Sequence, residues 1–243
     1  NISKILDIKI DKQYGSKVVA QGKNKALIFG NSENVQEFDA STQKLKITGK
    51  YSGRENLILE RINSKEILLF GGNKSPFSFA VQPNNGQEIE IYNTETNTSK
   101  VICNLQKKRN YDYRNKISSF AIAPINDRYY LISGGLTGSP TLKFQLKSTE
   151  ILDLKNNKII KGPNMKSPHF NHKIISLKNG NILVFDNQYD YSFSQSTEIF
   201  MMGKKFISAK TNRDNKFKVW KGVKNEWTKH KTLWRNINYK WIR

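Results

Sequence analysis

The side chains able to do chemistry are few in this chain. Its only histidines are His169, His172 and His230, and its one cysteine is Cys103. No two histidines have neighbours spaced as zinc or copper ligands would be, so no metal site is expected. No Ser-His-Asp set, glycine-rich phosphate loop or pair of carboxylates can be located by spacing, and Asp190 is a lone acid in a loop. A single cysteine permits no internal disulfide and does not choose between a reducing and an oxidising compartment. Binding is therefore expected rather than catalysis, with no cofactor.

Two other sets of residues carry interaction chemistry. One is basic: residues 203–243 hold thirteen Lys or Arg against Asp214 and Glu226, within a chain of formal net charge +21. All four tryptophans lie there too, at 220, 227, 234 and 241, seven residues apart. As a helix, Trp220, Val223, Trp227, His230, Trp234, Ile237 and Trp241 would form one stripe of an amphipathic segment. As strands, Phe217–Leu233 would supply a third strand, a turn and a fourth strand, which is the reading we favour. Lys218, Lys221, Lys224, Lys229, Lys231 and Arg235 are the candidate basic surface, for an anionic surface or for nucleic acid, where rings stack on bases and lysines meet phosphate. A Lys, Asn and Ile excess also follows from AT-rich coding, which competes with that reading. The other set is aromatic, and its placement depends on the elements that carry it.

Those elements repeat. Residues 117–165 run as an apolar stretch, the turn Asn126-Asp127-Arg128, YYLISGG, an irregular segment, STEILDL, the turn KNNK and IIKGPNM, which is four strands separated by turns. The order recurs as LILERINSKEILLFGGN with EIEIYNTETNTSKVICNL, as HKIISLKNGNILVFDN with STEIFMMGKKFISA, and as KVVAQGKNKALIFGN with VQEFDASTQKLKIT. The aligned residues Phe38, Tyr92, Leu152 and Phe200 are 54, 60 and 48 residues apart. In such units the one-to-two and three-to-four turns share one end of the sheet, and the two-to-three connections share the other. The latter are long here: 73–87, 136–145 and 187–195. Their aromatics and one acid, Phe77, Phe79, Phe144, Tyr189, Asp190, Tyr191 and Phe193, are the candidate partner-binding residues, since rigid scaffolds place binding surface in loops. Some of these rings are alternatively expected to fold back over the sheets.

Ser148–Asp153, Gly162–Met165, His169–His172 and Leu177–Val184 carry a resemblance to the kelch-repeat family in its bacterial form, over residues 14–209, most specifically in the third and fourth units. The chain departs from the family pattern at Gly30-Asn31 and Asp186-Asn187, where a Gly pair is usual, and in lacking the fourth-strand Trp in four units. The resemblance implies an all-β, kelch-type β-propeller with about four clear blades plus partial blades from the two chain ends, as one domain over 1–243. ISKILDIKI is a candidate for outer strands of a preceding blade, and 210–243 is the basic, Trp-rich segment. It also implies that His172 is a packing residue. Cys103 lies in an outer strand, away from where the copper of galactose oxidase, a kelch enzyme, would sit. The function implied is a non-catalytic scaffold that binds a protein, or a glycan, through the long-loop face. The alternatives are a basic component of a ribonucleoprotein or other large assembly, and a carbohydrate-active enzyme. No apolar run is long enough to span a membrane. The start at Asn1 without Met fits a cleaved leader and an internal boundary equally, so the address stays open, with a slight lean to a secreted or bacterial envelope one over a cytoplasmic one.

Overall fold

The computed structural model describes residues 15–30, 32–73, 86–109, 111–112, 117–138, 143–185, 197–201, 205–211 and 217–219. These residues form antiparallel sheets and contain no helix. None of them therefore belongs to a helix long and apolar enough to cross a membrane.

Sheet one joins β1 (Lys17–Gln21), β2 (Lys25–Phe29), β3 (Asn34–Asp39) and β4 (Lys44–Lys50) in sequence order, and sheet two repeats the plan with β5 (Ile58–Arg61), β6 (Glu66–Phe70), β7 (Glu88–Asn93) and β8 (Thr98–Asn104). A small hairpin, β9 (Tyr111–Asp112) with β10 (Ile117–Ser118), precedes sheet three. That sheet orders β11 (Ala121–Pro124), β12 (Tyr129–Ser133), β15 (Thr149–Asp153) and β16 (Lys158–Lys161), with a hairpin of β13 (Leu136–Gly138) and β14 (Lys143–Gln145) rising between its second and third strands. Sheet four contains β17 (Lys173–Ser176), β18 (Ile182–Phe185), β19 (Thr197–Met201) and β20 (Lys205–Thr211), and adds a fifth strand, β21 (Phe217–Val219).

The second strand of each sheet explains the stacking. Successive side chains of a strand point to opposite faces, and β6 is apolar on both. Ile67 and Leu69 pack with Leu27, Phe29, Val35, Tyr51 and Leu57 from sheet one and its outgoing linker, while Leu68 and Phe70 pack with Phe120, Tyr130 and Ile132 toward sheet three. In β12, Tyr130 and Ile132 face back to sheet two, and Leu131 faces forward to Met165, Ile182 and Val184 of the next cluster. Each core is thus the contact between two consecutive sheets. Within the first, Phe29 meets Tyr51 and Tyr92 edge-on, with ring centroids 5.3 Å apart in both pairs.

First strands lie against first strands and fourth against fourth: β1 touches β5, β11 touches β17, and β8 touches both β4 and β16. Arg61 reaches across to the Ala20 carbonyl at 2.6 Å and to Gln21 Oε1 at 2.9 Å. On the outer side Thr48 Oγ1 donates to Asn97 Oδ1 at 3.2 Å.

The turns repeat as closely as the strands. Asp39, Asn93 and Asp153 end the third strands, and their side-chain oxygens accept backbone N–H groups from Ser41, Glu95 and Asn156. In each turn, four residues after that Asx, Gln43, Asn97 and Asn157 take φ values of 55°, 57° and 50°. An Asx side chain that caps the turn, followed by a residue in left-handed backbone that is asparagine in two of the three turns, closes the short connection. Sheets one and two also share a register shift at one repeat position, beside Gln36 and beside Glu90.

Two expectations need correction. The connection 136–145 is not loop throughout, because Leu136–Gly138 pairs with Lys143–Gln145. The segment from Phe217 does not begin the third strand of a new unit. Ala209, Lys210 and Thr211 pair with Val219, Lys218 and Phe217. β21 thus runs antiparallel to β20 as a further strand of sheet four.

Candidate functional site

The long connections all leave the end of the sheets where the linkers enter. Glu55 and Asn73 form a backbone bridge there, Asn171 N–H donates to the Ser119 carbonyl at 2.9 Å, and Gly135 N–H donates to the His169 carbonyl at 2.7 Å. Of the candidate contact residues, Phe144 is described: it stands in β14 opposite Thr137 and is 55% exposed. Phe77, Phe79, Tyr189, Asp190, Tyr191 and Phe193 lie outside the described residues, as do Lys221, Lys224, Lys229, Lys231, Arg235 and the ISKILDIKI segment. Lys218 falls in the backbone of β21.

Beneath this end lies a repeated ionic device that sequence reading missed. Arg54, in the linker from sheet one, is fully buried and points into sheet two. Its guanidinium donates to Glu90 Oε2 at 2.8 Å, to Ser52 Oγ at 2.8 Å and to the Glu88 carbonyl at 3.0 Å, and it also reaches the Gly71 carbonyl. Glu90 additionally accepts Ser52 N–H at 3.1 Å. Arg109 repeats the arrangement in the linker from sheet two. It meets Glu150 Oε2 at 3.3 Å and the Ser148 carbonyl at 3.3 Å, and also the Gly134 carbonyl, while Lys107 N–H donates to Glu150 Oε1 at 2.8 Å. At the third junction His169 takes the arginine's place. Its Nε2 is 3.1 Å from Glu198 Oε1, and Glu198 accepts the N–H groups of Lys166 and Ser167 at 2.8 and 2.7 Å.

Burial alone would push the Glu90 carboxyl up, but hydrogen bonds from Ser52 and Ser99 and the charge of Arg54 outweigh it and hold it below its ordinary range. Burial pushes the Arg109 guanidinium down and Glu150 offsets part of that. A buried charge without such partners would be costly, so these pairs fix each linker to the sheet that follows. In sheet one the equivalent position is Gln36, buried at 3% exposure with Oε1 lacking a hydrogen-bond partner. The recoverable signal was the acid two residues before the aligned residue: Glu90 before Tyr92, Glu150 before Leu152 and Glu198 before Phe200.

His172 lies 5.6 Å from His169, ring centroid to centroid, with Nε2 at 2.7 Å from Ser133 Oγ. Its Nδ1 is buried without a hydrogen-bond partner. Burial first, then the neighbouring His169, Arg109 and Lys173, hold its pKa well below 6.5. The unfolded chain therefore binds a proton that the folded one refuses. Stability from this group is whole above pH 6.5 and falls as the pH drops below that value. We expect the loss to steepen toward about 1.4 kcal/mol per pH unit, the value for one proton, about a unit below pH 6.5, read from urea midpoints, and a flatter profile in His172→Gln. A profile unchanged by that substitution would assign the slope to other groups.

Glu55 is 2% exposed with Oε2 lacking a hydrogen-bond partner, and burial raises its carboxyl pKa. It sits at the base of the 73–87 connection, through its bridge to Asn73. Cys103, in β8, is half-buried, with its thiol pushed up to about 11, far from the thiolate character a nucleophile needs. Among the described residues no three His, Cys, Asp or Glu side chains come together as a metal site. No protein-family model matches the chain, and no curated protein matches its sequence.

Proposed function

We propose that this chain is a kelch-type β-propeller, or most of one, acting as a non-catalytic scaffold that binds a protein partner through the connections between second and third strands. The observation that carries this reading is Phe144. A large ring, 55% exposed, is held on a two-stranded projection at the end of the sheets pinned by Arg109–Glu150 and His169–Glu198. Aromatic anchors on a preorganised base are the usual source of affinity in an interface. The four sequential meanders support the propeller, since face-to-face stacking of such sheets about their first strands is how that architecture forms.

The test is selection of a displayed peptide library, and in parallel a glycan array, against the wild-type chain and against Phe144→Ser/Tyr189→Ser/Tyr191→Ser. Peptide ligands whose affinity falls more than tenfold in the triple variant are the expected result. Glycans alone showing that loss would change the partner class. Ligands indifferent to the three substitutions, or none recovered, would overturn the reading.

A further inference from the structure

Sheet one turns Leu27, Phe29 and Val35 toward sheet two, and among the described residues no apolar cluster lies on its opposite face. The registers place Val18, Ile28, Gln36 and Ile47 on that face in one row across the four strands, with Phe38 paired to Leu45 beside it. Gln36 is the one polar residue among these six. Val18 and Ile47, at the ends of the row, are 62% and 60% exposed, whereas Ile28 in the middle is 6% exposed. Gln36 Oε1, also in the middle, is buried without a hydrogen-bond partner. A covered centre with open ends is the footprint of an element narrower than a whole sheet.

The path into sheet one repeats the paths into the others. Gly15, Asn56, Ser119 and Asn171 each stand two residues before a first strand, and Asn56 N–H donates to the Gly15 carbonyl at 2.9 Å as Asn171 N–H does to that of Ser119. Arg54 and His169 lie two residues ahead of that position, and each meets the acid of the sheet that follows. Gln13 holds the same place ahead of Gly15, and Gln36 the place of the acid. Cation and carboxylate are thus replaced together, by two amides. No cation is needed for the glycine carbonyl either. Gly71 and Gly134 accept from Arg54 and Arg109, but the equivalent Gly30 carbonyl is taken by the Tyr51 hydroxyl. Residues 1–14 lie outside the described ones. Counted back from Gln13 in sequence, Ile10 matches Tyr51 and SKILDIK matches KLKITGK of β4. Leu6, Ile8 and Ile10 alternate there with charged residues, the period of a strand with one apolar side.

We propose that residues 3–14 dock over this face as the outgoing strand and linker of a unit do, with the Gln13 amide donating to Gln36 Oε1 in place of the ion pair used at the other junctions. A buried acceptor calls for such a donor. The inference rests on the repeated junctions and stands whether or not the long connections bind a partner.

The experiment installs the ion pair in the full chain and reads urea unfolding at pH 7. Gln36→Glu, which buries a carboxylate without a cation, should lower the folding equilibrium constant about 100-fold or more. Adding Gln13→Arg should recover at least about tenfold of that loss. Adding Thr42→Arg instead, the same charge at the exposed far turn of sheet one, should recover less than about fivefold. Should Gln36→Glu fail to fold, recovery of cooperative unfolding in Gln13→Arg/Gln36→Glu is the expected result. Failure of both variants, or equal rescue by Thr42→Arg, would overturn the proposal. Rescue that fades on hundredfold dilution, with a dimer in sedimentation, would give the face to a second copy of the chain and overturn it too.

Discussion

Arg54→Leu is expected to destabilise the fold by about 3–5 kcal/mol in urea unfolding, the usual cost of removing one partner from a buried pair. The substitution removes the 2.8 Å contact to Glu90 and the bond to the Glu88 carbonyl, and it leaves the Glu90 carboxylate dependent on Ser52 and Ser99. Arg54→Leu/Glu90→Leu should recover part of that loss, with a coupling energy above about 1 kcal/mol, because no charge is then stranded. Costs below about 1 kcal/mol for the single substitution, the range of a surface ion pair, would show that the linker is held by its apolar contacts alone. The loss should also be local. Stacked repeats exchange energy chiefly with neighbours, so amide exchange should accelerate most in β5–β8 and the linker 51–57, and least in sheet four.

Gly134→Ala is expected to cost about 3 kcal/mol or more, through strain and displaced backbone together. Gly134 has φ 60°, and a Cβ added there meets the His169 carbonyl oxygen and lies 2.7 Å from His172 Cε1. The carbonyl cannot yield freely, since it accepts the Gly135 N–H at 2.7 Å. Gly22 provides the control. Its φ is 68°, yet nothing lies within 4 Å of an added Cβ, so Gly22→Ala should cost only about 1 kcal/mol for the left-handed backbone. Similar losses at the two positions would mean that the linker gives way around residue 134 and that its approach to the glycine pair is not a fixed feature.

How much of this was legible varies with the range of the interaction. Strands such as Glu66–Phe70 and Tyr129–Ser133 were readable because burial on both faces leaves an unbroken apolar run, and local Asx turns punctuate it. The outer position of Cys103 and the packed state of His172 followed from alignment of the units. The ionic pairs did not, because their separations are 36, 41 and 29 residues and the cation changes from arginine to histidine. A pairing with neither fixed spacing nor fixed residue type leaves only its acid half visible in the repeat. The hairpin at 136–145 was hidden by Gly138-Ser139-Pro140, which reads as loop although strand pairs form on either side of it. The place of Phe217–Val219 is set by its pairing with β20 and not by its own side-chain pattern, so an aligned sequence misassigned it.

The ionic pairs also change where one unit of this array begins. Each cation lies ahead of its sheet's first strand, so a boundary drawn at Ile58 or Ala121 would part Arg54 from Glu90 or Arg109 from Glu150. The transferable module starts at Tyr51 or Leu105, both buried. Excision or duplication cut at those residues would keep Arg54 with Glu90 and Arg109 with Glu150, whereas a cut a few residues later would strand a carboxylate in one product and its arginine in the other.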